Sequence, residues 1–273
     1  MIGQMLIALS VAAVAARDCT REDVDVSNFL WWRFSIGVEC TSLSLNNLTL
    51  GLAGATALSR ALRHNAALKT LKLEGCGIGA HGASMLADAL PSTALASLDL
   101  DSNGIGFEGA VAIAEAIPDS GLHELDLESN GILDGGAIAL ASVLRNRRSS
   151  PLTKLDLENN DIGDSGVATL AAALHKNSAL EELDLHGNFV GTKALRAMVS
   201  ALAVNQHVTK VSLPEASPLL PLRTRRYLNT LGMLLEKLVH ANSVGASVAR
   251  KRALRRQALQ RFKARRRAGR RKG

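Results

Sequence analysis

Aromatic side chains make up only 3% of the 273 residues, although 47% of the chain is hydrophobic. A core that large without rings is aliphatic, which points to a repetitive architecture rather than a compact globule filled by Phe and Trp. Cysteine is scarce too. Cys19, Cys40 and Cys76 are too few and too scattered for a disulfide framework or a paired CxxC metal site. That scarcity fits a reducing compartment, and it leaves a single Cys19–Cys40 bridge open. Acids are nearly missing from one end: residues 223–273 hold 17 Lys/Arg and one acid, Glu236, whereas residues 1–222 hold 15 Lys/Arg and 24 Asp/Glu. The net charge of +7 is therefore the sum of a body at −9 and a tail at +16.

Catalytic signatures are also lacking. Gly75-Cys76-Gly77-Ile78-Gly79 has the look of a phosphate loop, but no Lys-Ser/Thr pair follows it, and it falls on a turn that recurs along the chain. The seven histidines, His64, His81, His123, His175, His186, His207 and His240, include no HExxH motif or close metal-ligand spacing. No nucleophile elbow or Cys–His arrangement stands out. The expectation is a protein that is not an enzyme, with no cofactor and no metal.

What is present is a repeat. Leu68, Leu71, Leu73, Cys76 and Ile78, followed by Gly82, Leu86 and Leu90, set a frame that restarts at Leu95, Leu122, Leu152 and Leu180 and reads back to Cys40. Starts lie 27 to 30 residues apart, and Val208, Val211 and Leu213 open a seventh copy that the Pro-rich stretch 214–221 interrupts. The LxxLxL segments alternate as short strands do, leucines inward and polar residues outward. Asn103, Asn130, Asn160 and Asn188 share the ninth position, where an amide can satisfy turn backbone groups. Ile78, Ile105, Ile132, Ile162 and Val190 anchor the turn. Gly54, Gly82, Gly109, Gly136 and Gly166 then mark a tight helix start, with Ala194 in the sixth copy. Pairs such as Leu86 and Leu90, or Leu170 and Leu174, share one helix face.

This pattern resembles the ribonuclease-inhibitor type of leucine-rich repeat, also used by the sensor domains of NOD-like receptors and by Ran GTPase-activating proteins. The resemblance covers residues 40–213. It implies an α/β solenoid, a horseshoe with a parallel sheet on the concave face and helices on the convex one, in which one unit cannot bury its apolar face alone.

The ends divide differently. Residues 1–39 read as an apolar segment and cap. Met5–Ala16 resembles a secretory signal with a small-residue cleavage site at Val14-Ala15-Ala16, although no Lys or Arg precedes it. Alternatively Gly3, Ile7 and Val11 continue the helical half of a repeat, Val24–Asn28 forms a degenerate strand, and Phe29, Trp31, Trp32 and Phe34 plug the open core. Twelve apolar residues are too few to span a bilayer. Residues 214–245 hold a capping helix over Arg226–His240, with Leu228, Leu231, Leu235 and Leu238 on one face. Residues 246–273 form a basic tail, predicted to be unstructured in isolation over its last dozen residues. The location is cytoplasmic or nuclear, or secreted if residues 1–16 are a signal.

The candidate binding surface is acidic. Asp99, Asp126, Asp156 and Asp184 share one outward strand position, and Asp101, Glu128 and Glu158, continued by His186, share the next. Neighbouring strands lie about 5 Å apart, so adjacent charges repel by about 0.8 kcal/mol in water. A cationic protein partner relieves that repulsion. Asp in an LDL strand is also common within this repeat class, and an evenly spaced column does not make the six-to-eight-oxygen cage of calcium. The tail offers Arg250, Lys251, Arg252, Arg255, Arg256, Arg265, Arg266, Arg267, Arg270 and Arg271 to nucleic acid or an anionic surface. The leading expectation is a protein-binding scaffold. The alternatives are a GTPase-activating protein similar to the Ran regulator, whose family carries an acidic tail where this one is basic, and a nucleic-acid- or chromatin-associated adaptor.

Overall fold

The structure is a computed structural model that describes residues 17–19, 36, 40–145, 150–213, 222–244, 253–254 and 256. Among the described residues, eight strands form one parallel sheet in the order of the chain: β1 (Arg17–Cys19), β2 (Cys40–Ser44), β3 (Thr70–Lys72), β4 (Ser97–Asp99), β5 (Glu124–Asp126), β6 (Lys154–Asp156), β7 (Glu182–Asp184) and β8 (Lys210–Ser212). From β2 onward a helix follows each strand: α1 (Gly51–Arg63), α2 (Gly79–Ala87), α3 (Gly106–Ala116), α4 (Leu133–Arg145), α5 (Asp164–Leu174), α6 (Thr192–Leu202) and α7 (Leu222–Ser243). The sheet stays open, and the helices stack side by side behind it as a solenoid.

The leucine frame is the reason. Leu43, Leu71, Leu98, Leu125, Leu155, Leu183 and Val211 pair residue for residue across neighbouring strands. The six leucines of this column are buried, and Leu45, Leu73, Leu100, Leu127, Leu157 and Leu185 form a second buried column beside it. The core is thus one continuous aliphatic stack, which explains how so large a core needs so few rings.

The buried asparagines stitch the turns as their position predicts. Asn130 Oδ1 accepts from the amides of Asn103 and Ile105 in the preceding copy, while Nδ2 donates to the carbonyls of Leu100 and Glu128. Asn103, Asn160 and Asn188 bond the copy before them in the same way. Cys76 stands at this position in the second copy, its thiol donating to the Leu45 carbonyl at 3.1 Å. Burial pushes that thiol's pKa up, so it keeps its proton.

Three features differ from the sequence expectation. The framed glycines do not start the helices. They lie three residues inside helices α1 to α4 and two inside α5, where a Cβ on Gly109 or Gly136 would come within 2.3 Å of Ile105 or Ile132 Cγ2. Their role is close packing of helix on anchor and on the preceding helix's alanine. In the sixth copy Ala194 fills this place, and its anchor Val190 is only half buried. Second, a strand that the sequence pattern does not predict, Arg17–Cys19, precedes β2, and Cys19 and Cys40 are joined by a disulfide. The open alternative at those cysteines is therefore the realised one. Val24–Asn28 and the Phe29–Phe34 plug lie outside the described residues, as does the apolar run before Arg17. Third, the capping helix extends beyond Arg226–His240 at both ends and buries Leu231, Leu234, Leu235 and Leu238 next to α6 and β8. The Leu228 side chain is outside the described set.

Two helix starts are capped from the neighbouring copy. Asp134 Oδ1 accepts from the amides of Gly163 and Gly166 at the head of α5, and Asp164 Oδ1 from those of Gly191 and Ala194 at α6. No helix among the described residues is long and apolar enough to cross a membrane.

Candidate functional site

Parallel pairing in register carries each strand's outward side chains into columns along the concave face. Asp99, Asp126, Asp156 and Asp184 are paired neighbours on β4 to β7, with Lys72 before them and Ser212 after them. Two residues on, the chain brings Asp101, Glu128, Glu158 and His186 into the adjoining row. All seven acids are half buried and His186 is exposed. The structure therefore gathers every body residue of the candidate binding set onto one surface.

Each Asp of the main column also has a local task. One oxygen accepts from the amide two residues on: Asp99 from Asp101, Asp126 from Glu128, Asp156 from Glu158 and Asp184 from His186, at 2.9 to 3.2 Å. That bond holds the strand end and explains why Asp suits the position structurally. It engages one oxygen of each carboxylate and leaves the negative charge on the face.

The charge is costly there. Burial, followed by the neighbouring carboxylates, pushes Asp126 up to about 6 and Glu128 up to about 7, and raises Asp156 as well. The amide bond from Glu128 opposes the rise at Asp126 without cancelling it. A cationic group set against β5 would reverse the neighbouring-charge part of that cost.

The sequence reading overlooked a third column, which is mixed in sign. Ser97, Glu124, Lys154, Glu182 and Lys210 are paired in succession, and Lys210 Nζ lies 3.3 Å from Glu182 Oε2. Its Glu-Lys-Glu-Lys alternation is legible at the third position of the frame, and it confines the excess negative charge to the two acidic columns. His123 sits one residue before β5 and bonds the Gly121 carbonyl through Nδ1 at 2.7 Å.

Asp156, Glu158 and Asp184 bring one carboxylate oxygen each within 4.8 Å of one another. As a cation site this is poor. Calcium takes six to eight oxygens, and the Glu158 carboxylate already meets His186 Nδ1 at 3.0 Å. The surface is shallow. Its larger depression, about 210 Å³, lies among Lys72, Asp99, Glu124, Asp126 and Lys154. Its smaller one, about 50 Å³, lies among Asp156, Glu182, Asp184 and Lys210. Open polar hollows of this kind suit the side chains of a macromolecule better than an enclosed small ligand. Of the tail candidates only Arg256 is described, and it is exposed. Arg250, Lys251, Arg252, Arg255, Arg265, Arg266, Arg267, Arg270 and Arg271 lie outside the described residues.

The sequence model of a family described as "Leucine Rich repeat" matches residues 64–87, 92–114, 122–141 and 148–171. These segments are similar to leucine-rich repeats, and the fold is the corresponding solenoid. The strand pairing continues the same frame beyond them, forward to β8 and back to β2, so the leucine-rich-repeat solenoid spans more of the chain than the matched segments. Among solved structures, one titled "Leiomodin-1 Actin-Binding Site 2 (ABS2)" is similar at 17% identity, covering 84% of this chain and 88% of that one, with a TM-score of 0.28. No curated protein matches the chain.

Proposed function

We propose that this leucine-rich-repeat chain is a non-enzymatic interaction scaffold that binds a cationic segment of a protein partner on the concave face. The observation that carries this reading is the run of four adjacent Asp residues on β4 to β7, backed by Asp101, Glu128 and Glu158 and bordered by a column that balances its own charge. Electrostatic complementarity of this kind selects partners and speeds their encounter. Repeats of 27 to 30 residues, each with a full helix opposite its strand, support the ribonuclease-inhibitor subtype.

The Cys19–Cys40 bridge supports the secreted alternative over a cytoplasmic or nuclear location, because disulfides persist in oxidising compartments. Residues 1–16 are then the signal.

Changing Asp126, Asp156 and Asp184 together to Asn tests the binding surface. Asn keeps the oxygen that accepts from Glu128, Glu158 and His186, so the thermal transition should persist. Binding of a nona-arginine peptide at low salt should weaken about tenfold, and the wild-type affinity should fall as salt rises. Equal affinity in a folded triple variant would reduce the acidic columns to a solvated face.

A further inference from the structure

We propose that the last seventeen residues, 257–273, dock on the acidic face of β4 to β7 of the same chain and compete there with the cationic partner. The inference rests on the reading of that face as the binding surface and adds its regulation.

Charge complementarity is the first support. Residues 257–273 contain eight Lys/Arg (Arg261, Lys263, Arg265, Arg266, Arg267, Arg270, Arg271 and Lys272) and no acid. The face they would meet carries Asp99, Asp126, Asp156 and Asp184 in register, with Asp101, Glu128 and Glu158 alongside. The neighbouring column is neutralised by its own lysines, which directs a cationic segment to the two acidic rows. Burial, followed by the neighbouring carboxylates, raises Asp126 and Glu128, and an incoming guanidinium or ammonium group offsets the neighbouring-charge part of that rise.

Reach is the second support. Leu254 shares a cavity with Glu236, His240 and Val244 of α7, and α7 packs against β8, so the segment departs from the C-terminal end of the sheet. The column nearest that end starts one strand away, at Asp184. From β8 to β5 is three strand spacings, about 15 Å, to which one or two helix diameters, about 10–12 Å each, are added at the start. Seventeen extended residues cover about 56 Å, more than enough. Tethering then supplies an effective concentration of about 1 mM, so a tail that binds with a dissociation constant near 0.1 mM weakens a competing ligand about tenfold.

The test uses the full chain. A carbodiimide joins Lys amines to carboxylates only when they touch, so at low salt mass spectrometry should find Lys263 or Lys272 linked to Asp126, Glu128, Asp156 or Asp184. The links should disappear at about 0.5 M salt. Mixing with an isotopically labelled copy separates links within a chain from links between chains, and links only between chains overturn the proposal. In parallel, changing Arg265, Arg266, Arg267, Arg270 and Arg271 to Gln should strengthen nona-arginine binding about tenfold. Adding the Asp126→Asn, Asp156→Asn and Asp184→Asn changes should abolish that gain. If the aspartate variant weakens the peptide but the arginine variant has no effect, the face binds cations and the tail does not occupy it. If the aspartate variant leaves peptide binding unchanged, the binding surface itself has been misread.

Discussion

At the residue scale the buried asparagines carry more of the fold than their number implies. The Asn130 amide makes four hydrogen bonds, three of them to backbone groups of the preceding copy, Asn103, Ile105 and Leu100. Asn130→Ala leaves those groups buried with fewer partners, and each such loss costs about 1–3 kcal/mol. The variant should therefore lose roughly 3 kcal/mol or more of stability by urea unfolding. A loss below about 1 kcal/mol would mean that water or backbone adjustment takes over the amide's role. This column was legible in the sequence because the same residue recurs at the same place. A second set was not. Asn65, Asn177 and Asn205 each bond the amides two and three residues on, and Asn177 and Asn205 also donate to the previous copy. In the second and third copies, short 3-10 turns at Leu90–Ser92 and Ile117–Asp119, each holding a proline, do the turning instead. The periodicity is broken, and a reading built on recurrence passes over it.

At the scale of the element, the sheet's N-terminal end differs from the rest. Its strand, Arg17-Asp18-Cys19, has no leucine frame, and its pairing with β2 shifts register after Arg17. The sequence could name Cys19 and Cys40 as one permissible pair but could not show that a strand ended there, since nothing in three residues distinguishes strand from loop. The same limit hid the cross-copy caps: Asp134 and the amides it accepts from are 29 and 32 residues apart, beyond any local pattern. The bridge closes a loop with a sequence separation of 21, for which chain entropy gives about 3 kcal/mol. Cys19→Ser with Cys40→Ser should cost a comparable amount and expose β2 first, seen as faster amide exchange at Leu43 and Leu45 than at Leu155 and Leu157. Uniform exchange across the array would show that the end strand contributes nothing local. In a reducing buffer the wild type should approach the double variant.

For the whole molecule, the acidic face links stability, binding and pH with opposite signs. Asp126 and Glu128 titrate near 6 and 7 in the folded protein, against ordinary values of 3.8 and 4.5, and Asp156 is raised too. Between the ordinary and the folded values the native state holds protons that the unfolded chain has lost. Stability therefore falls as pH rises from about 4 to about 7, and the penalty is complete above the folded values. A cationic ligand prefers the ionised face, so its affinity should rise over the same interval. Binding near pH 6 must then expel protons. Titration calorimetry of the full chain with nona-arginine, run at pH 6 in two buffers of different ionisation enthalpy, should show different heats, and the difference should vanish at pH 8.5. The thermal midpoint of the free protein should be higher at pH 5 than at pH 8, and the Asp126→Asn, Asp156→Asn, Asp184→Asn variant should narrow that gap. If the heats at pH 6 agree between buffers although the peptide binds, the peptide is held away from β5, and the raised carboxylates take no part in recognition.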